Sequence, residues 1–351
     1  MPNYAAIRRV FLWLHMVTGL GCSLYAVLIG TTGSLLVFRE ELTALEYPQF
    51  FAGPARALRV SPDAAMAAVR AAYPEWTPYS LTWPNADCPY FLAYEGRSGE
   101  SQEIFVDPAT ARVIGSRDTR AGLVGWLTRA HFNLLLGRVG RTVQGFGVVA
   151  LLGMCVSGLW LWWPSRRTHH LTGITSLAFI AMWAITGGYY VWMNSYIGVV
   201  DKAFARTVPP RIDAGVAGQL LSLAGLAARA QAEFPERPIY RMSAPVVAGQ
   251  PVSVTLLEDV PAKFHLVSTV YLDPVTGAVL QKSASADRET GNAVLSWISV
   301  LHFGRFGNGA VRVLWALLGL SLPVLAATGC WMWWRRMRTT PAPSSTAATS
   351  R

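Results

Sequence analysis

Six histidines occur in the chain, and four of them recur at matched places: His15 with His169, 154 residues apart, and His131 with His302, 171 residues apart. A neutral imidazole offers a ring nitrogen to a metal, and two from different helices can clamp one haem iron axially. The resulting six-coordinate centre is suited to electron transfer and closed to oxygen. His15 lies four residues inside an uncharged run and His169 two residues before another, while His131 and His302 each lie eleven residues before a run. This placement predicts two facing pairs, His15 with His169 near one membrane face and His131 with His302 near the other. A lone histidine at a membrane boundary is more often an interfacial or hydrogen-bonded residue; the symmetry of the four favours ligation. His170 is the alternative to His169, but register favours His169, which has Gly at +4 and Thr-Gly at +17 and +18, as His15 does. His265, in a strand-like stretch, reads as a surface residue.

Arg138, Arg141, Arg305 and Arg312 accompany His131 and His302. A guanidinium fork there suits haem propionates, or an anionic chelate at the exit side, and it equally marks the edge of a membrane. Met16, Met154, Met182 and Met332 lack repeat-paired placement and are not taken as ligands. The clusters Trp160, Trp162, Trp163 and Trp331, Trp333, Trp334 fit an interfacial aromatic belt. Cys22, Cys88, Cys155 and Cys330 include no Cys-x-x-Cys, so no disulfide framework is expected. Neither long connection carries a paired-carboxylate, Ser-His-Asp, Walker or dinucleotide-glycine pattern that would support an independent enzyme there, and the electron transfer expected of the histidines requires no general acid or base. With no flavin or nicotinamide domain legible, the electron donor is expected to be external, in the cytoplasm or the membrane.

The elements holding these residues must lie in lipid. With 52% hydrophobic and 14% charged residues, the 351-residue chain departs from soluble domains, of which about a quarter is charged. Phe11–Phe38, Thr142–Pro164, Leu171–Val200 and Val313–Trp334 contain no Asp, Glu, Lys or Arg, and each reaches the roughly 20 residues that cross a bilayer. The clusters Arg8-Arg9, Arg166-Arg167 and Arg335-Arg336 with Arg338 then fall on one side, predicting cytoplasmic termini and two long extracytoplasmic connections. Much of the formal net charge of +10 is thereby assigned to topology, and no nucleic-acid partner is expected. The first run is too long for a cleaved signal peptide and lacks a small-x-small site, so it is read as a retained helix.

The chain repeats itself. A shift of 154 superposes His15, Thr18, Gly19, Thr32 and Gly33 on His169, Thr172, Gly173, Thr186 and Gly187. A shift of 171 superposes His131, Arg141, Ser157-Gly158, Trp160 and Trp162-Trp163 on His302, Arg312, Thr328-Gly329, Trp331 and Trp333-Trp334. The connections match as well: Ser61 and Tyr73-Pro74 enclose an Ala-rich helical stretch, as Ser222 and Phe234-Pro235 do. Phe105–Thr110 and Tyr271–Gly277 each read as a strand entering an Asp-Pro turn. Each unit is helix, small α+β domain, helix, and two crossings per unit make this a parallel repeat.

Leu14-His15 with Gly19, Thr32-Gly33, Phe38-Arg39-Glu40-Glu41, the Asp-Pro-x-Thr turns, Leu301-His302-Phe303-Gly304 and Thr328-Gly329 before Trp333-Trp334-Arg335-Arg336 resemble the PepSY-associated transmembrane proteins. That family includes the FoxB and PiuB type of bacterial ferric-siderophore reductases. The resemblance covers nearly the whole chain and implies four helices, two periplasmic PepSY modules, b-type haem and inner-membrane electron transfer to iron chelates. The expected fold is a membrane all-α four-helix bundle with two small α+β PepSY-like domains. Its parts are a membrane helix at 1–40, a module at 41–125, an interfacial segment and second helix at 126–165, and a link and third helix at 166–200. A second module at 201–296, an interfacial segment and fourth helix at 297–336 and a disordered cytoplasmic tail at 337–351 complete it. One or two haems b, a ferric siderophore and the lipid bilayer are the expected partners, and the expected activity is reduction that releases Fe(II). The alternatives are a non-catalytic PepSY membrane sensor or assembly partner, and a transmembrane electron carrier to another acceptor.

Overall fold

The structure, a computed structural model, describes residues 4–51, 56–97, 100–162, 168–212, 219–243, 249–258 and 267–339. In chain order the elements are α1 (Tyr4–Gly21), α2 (Ser23–Leu36), α3 (Arg39–Glu46), α4 (Pro48–Phe51), α5 (Pro62–Ala72), β1 (Ser80–Thr82), β2 (Phe91–Arg97), β3 (Glu100–Val106) and β4 (Val113–Asp118). There follow α6 (Gly122–Asn133), α7 (Gly137–Trp162), α8 (Thr168–Val191), α9 (Met193–Ala203), α10 (Leu223–Glu233), β5 (Ile239–Ser243), β6 (Val252–Leu257), β7 (Val267–Leu272) and β8 (Val279–Ser283). The chain closes with α11 (Thr290–Phe303), α12 (Gly309–Gly319) and α13 (Ser321–Thr339). Two compact units result: Met1–Val37, Arg129–Met193 and Ala310–Arg351 form one, and Phe38–Thr128 with Asn194–Gly309 form the other. Trp163, Arg166, Arg167, His265 and the tail beyond Thr339 lie outside the described residues.

In the first unit, among the described residues, Gly137–Trp162, Thr168–Val191 and Gly309–Arg338 are long and apolar enough to cross a membrane. The pair α1–α2 adds a fourth crossing if its two parts count as one span. The first uncharged run is therefore not the unbroken helix its hydropathy suggests, because it bends by 61° between Gly21 and Ser23. Ser23 Oγ donates to the Gly19 carbonyl at 2.7 Å, competing for the acceptor of its own helical amide, and such back-bonding serines often bend helices. The third run is also divided, with α8 closing at Val191 and α9 opening at Met193. Ala26, Leu151, Ile180, Ala184 and Leu322 form one buried layer, so all four apolar segments meet there. Small residues permit that approach: a Cβ on Gly30 would stand 2.7 Å from Pro323 Cδ and 2.9 Å from the Gly319 carbonyl oxygen.

The second unit is an eight-stranded antiparallel sheet in the order β4-β3-β2-β1-β5-β6-β7-β8. The modules read from the sequence as two small domains thus share one sheet, joined by the pairing of Leu81 with Met242 between β1 and β5. On one half, Ala65, Met66 and Val69 of α5 pack on Leu81, Phe91, Ile104 and Val106. On the other, Leu226, Ala227 and Ala230 of α10 pack on Met242, Val254, Leu256 and Val270. Trp83 touches both clusters. The helices begin alike, with Ser61 Oγ accepting from Ala64 N and Ser222 Oγ from Gly225 N, both at 3.1 Å. Asp63 adds a cross-repeat cap, accepting from Leu223 N at 2.7 Å and Ala224 N at 2.8 Å.

Both Asp-Pro turns close by side-chain to backbone bonds. Asp107 accepts from Ala109 N, and Asp273 accepts from Val275 N and Thr276 N, all at 2.8 Å. Those amides hold the Asp273 carboxyl below its ordinary value. Cys88 is buried in the same unit, and burial pushes its thiol up to about 11, which makes it a structural residue and a poor nucleophile.

Candidate cofactor-binding site

His15 on α1 and His169 on α8 come together in the helical unit, with ring centroids 6.4 Å apart and ring planes at 84°. Each ring is anchored at Nδ1 by a hydroxyl from another helix of its own repeat. His15 Nδ1 is 2.8 Å from Ser157 Oγ on α7, and His169 Nδ1 is 3.0 Å from Thr328 Oγ1 on α13. The glycine that follows each hydroxyl seats the ring: a Cβ on Gly158 would lie 3.3 Å from His15 Cε1, and one on Gly329 would lie 3.5 Å from His169 Cε1. Ser157-Gly158 and Thr328-Gly329 were visible in the sequence as repeat equivalents, yet nothing in the repeat alone marked them as histidine partners. The available signal was that a hydroxyl-Gly dipeptide occurs in every apolar run of the repeat.

These rings line a cavity of about 1080 Å³, bounded by α1, α2, α7, α8 and α13. Its wall is largely Leu, Ile, Ala and Trp, with Met16, Met154, His170, Arg335 and Arg336 adding softer or charged groups. The volume is slightly above the roughly 300–1,000 Å³ range of ligand pockets. His170 stands beside His169, their rings 5.8 Å apart and nearly perpendicular, so the alternative ligand lines the same space. Met182 lies on α8 but is not part of the wall, whereas Met332 is. Arg335 and Arg336, read from the sequence as topological markers and as part of the family-like motif, therefore border the cavity itself.

His131, on α6, repeats the arrangement at the other end of α2. Its Nδ1 is 3.1 Å from Thr32 Oγ1, and a Cβ on Gly33 would stand 2.9 Å from its Cε1. Gln144 Nε2 donates to the His131 carbonyl oxygen. Arg141 donates to the Tyr190 carbonyl at 2.6 Å and Arg312 to the Val37 carbonyl at 2.7 Å, so both bind helix-end carbonyls. Arg138 is exposed. His302 and Arg305 belong to the sheet-containing unit, where the His302 ring stands 5.4 Å from Phe303 and Arg305 pairs with Glu40 at 2.6 Å.

What this geometry can do chemically is present two imidazole nitrogens to one central atom. Metal–imidazole distances of about 2.0–2.1 Å on each side would put the ring centres roughly 6–6.5 Å apart, which includes the separation of His15 and His169. A family model described as PepSY-associated TM region matches residues 12–336. The chain belongs to the PepSY-associated TM family. The region matched to that family holds all four repeat-paired histidines, the hydroxyl-Gly partners of His15, His131 and His169, and the Arg335-Arg336 pair. No curated protein matches this PepSY-associated TM chain.

Proposed function

We propose that this membrane protein is a haem-containing inner-membrane reductase that carries electrons across the membrane to a ferric siderophore in the periplasm, releasing Fe(II). The observation carrying this reading is the pair of imidazoles from opposite halves of a duplicated chain, anchored at Nδ1 and lining a cavity of about 1080 Å³. Two nitrogens leave a bare ion short of ligands, and among the described residues no group of three or more His, Cys, Asp or Glu gathers to complete a set. The donor set instead suits haem b, whose macrocycle brings its own equatorial nitrogens. When bound, haem b supplies a one-electron couple.

In this reading His15 and His169 hold the iron, the Leu and Ile side chains of the wall exclude water, and Arg335 and Arg336 complement acidic groups. His131 and His302 would hold a second haem nearer the periplasm, with Arg138, Arg141, Arg305 and Arg312 serving propionates or the incoming anionic chelate. The bent α1–α2 pair then counts as one crossing in a four-helix bundle. The sheet-containing unit corresponds to two PepSY-like modules in the periplasm, both termini are cytoplasmic, and the electron donor comes from the cytoplasm or the membrane.

Absorption spectroscopy with pyridine-haemochrome stoichiometry tests the reading. Protein purified from haem-replete cells is expected to show the Soret and α bands of low-spin haem, and His15→Ala or His169→Ala to remove one haem equivalent. Anaerobically reduced protein is expected to reoxidise on addition of a ferric siderophore. A colourless preparation overturns the proposal.

A further inference from the structure

We infer that Ser157 and Thr328 are positioning residues that lock His15 and His169 in one tautomer, protonated on Nδ1 and open on Nε2. The assignment of the open nitrogen to iron rests on the haem reading above; the tautomer itself does not.

A hydroxyl has one proton and two lone pairs, so where its proton goes decides what it can offer a neighbour. Ser157 Oγ donates to the Gly153 carbonyl at 2.8 Å, and Thr328 Oγ1 donates to the Val324 carbonyl at 2.7 Å. With the proton committed one turn back along its own helix, each oxygen faces the imidazole as an acceptor. The ring nitrogen meeting it must then carry hydrogen, and Nδ1–H donates to Ser157 Oγ at 2.8 Å and to Thr328 Oγ1 at 3.0 Å. A neutral imidazole has one N–H, so Nε2 keeps the free lone pair that a metal needs.

Among the described residues the device recurs at His131. At His131 the acceptor is Thr32 Oγ1, whose own proton goes to the Leu28 carbonyl at 2.6 Å. A lone serine in a membrane helix is commonly no more than a local back-bond. Three hydroxyls from three helices, each back-bonded and each followed by a ring-seating glycine, form a repeated support for ligating histidines, which usually donate their second N–H to a fixed acceptor.

The test uses the full-length protein with Ser157→Ala and Thr328→Val, which delete the acceptor, and Ser157→Thr and Thr328→Ser, which keep it. Haem affinity is read by transfer to apomyoglobin, and the midpoint potential by redox titration. The acceptor deletions are expected to weaken haem retention about 10–100-fold, the range usual for outer-shell partners. They should also raise the potential, because a donated N–H makes the ring a more basic ligand that favours ferric iron. The conservative variants should stay within about twofold of the parent, since the acceptor they keep is the outer-shell partner in question. If the deletions match the parent while His15→Ala loses haem, the lock is refuted and the haem reading stands. If the parent takes up no haem, that reading fails and nitrogen-15 spectra of histidine-labelled protein decide the lock. Nδ1–H signals that become tautomer mixtures in the deletions sustain it, and spectra unchanged by the deletions refute it.

Discussion

A methyl group added at Gly33 would meet His131 Cε1 at 2.9 Å, whereas at Gly158 the distance to His15 is 3.3 Å and at Gly329 the distance to His169 is 3.5 Å. One substitution thus probes three seats of different tightness. Gly33→Ala must displace the ring or the helix, and overpacking of this kind costs about 1–3 kcal/mol. Gly158→Ala asks for a small shift, and Gly329→Ala makes ordinary contact. The expected order of lost thermal stability and lost absorbance is Gly33→Ala, then Gly158→Ala, then Gly329→Ala near the parent, and a reversed order would contradict the seating. The meeting of His15 with His169 was legible in the sequence, because a histidine recurring with the same Gly and Thr-Gly spacing in two apolar runs is improbable by chance. Their supports were not, since the hydroxyls lie 142 residues from His15, 159 from His169 and 99 from His131. Repeat identity reports that two positions are equivalent; it does not report which positions touch.

The twin Asp-Pro turns show how similar sequences reach one backbone by different means. Ala111 and Gly277 occupy equivalent places, each donating its amide to the turn aspartate carbonyl at 2.9 Å, and both are left-handed, with φ of 57° and 68°. An L side chain is strained there and glycine is not. Ala111→Gly is expected to raise stability by about 0.5–1 kcal/mol in thermal unfolding of the purified protein. Gly277→Ala should lower it by more than 1 kcal/mol, because the added Cβ would also fall 2.7 Å from Leu221 Cδ1. The turns, the Ala-rich helices and their serine caps were readable because short-range chemistry determines them. The 61° bend in the first apolar run was not, because hydropathy is indifferent to the side-chain bond by which Ser23 competes for a backbone carbonyl.

Both compact units are assembled from both repeats, which bears on how the molecule tolerates being divided. The first repeat contributes α1, α2 and α7 to the helical unit and β1 to β4 to the sheet; the second contributes α8, α12 and α13 and β5 to β8. A repeat alone would expose β1 or β5 as an unpaired edge, a known route to aggregation, and would hold only one imidazole of the His15–His169 pair. The central pairing was hidden from the sequence because β1 is three residues long and its partner lies some 160 positions away, beyond any local turn signal. Chains 1–162 and 168–351 expressed separately are therefore expected to aggregate or be degraded. Co-expressed, they should co-purify at equal stoichiometry through an affinity tag on either one, and only the joined pair should carry the absorbance assigned to the His15–His169 cavity. A single repeat that stays monomeric and soluble in detergent would show that neither the shared sheet nor the shared helical core is needed for folding. The design would then be two self-sufficient modules placed side by side, and the pairing of histidines across the halves would lose its structural basis.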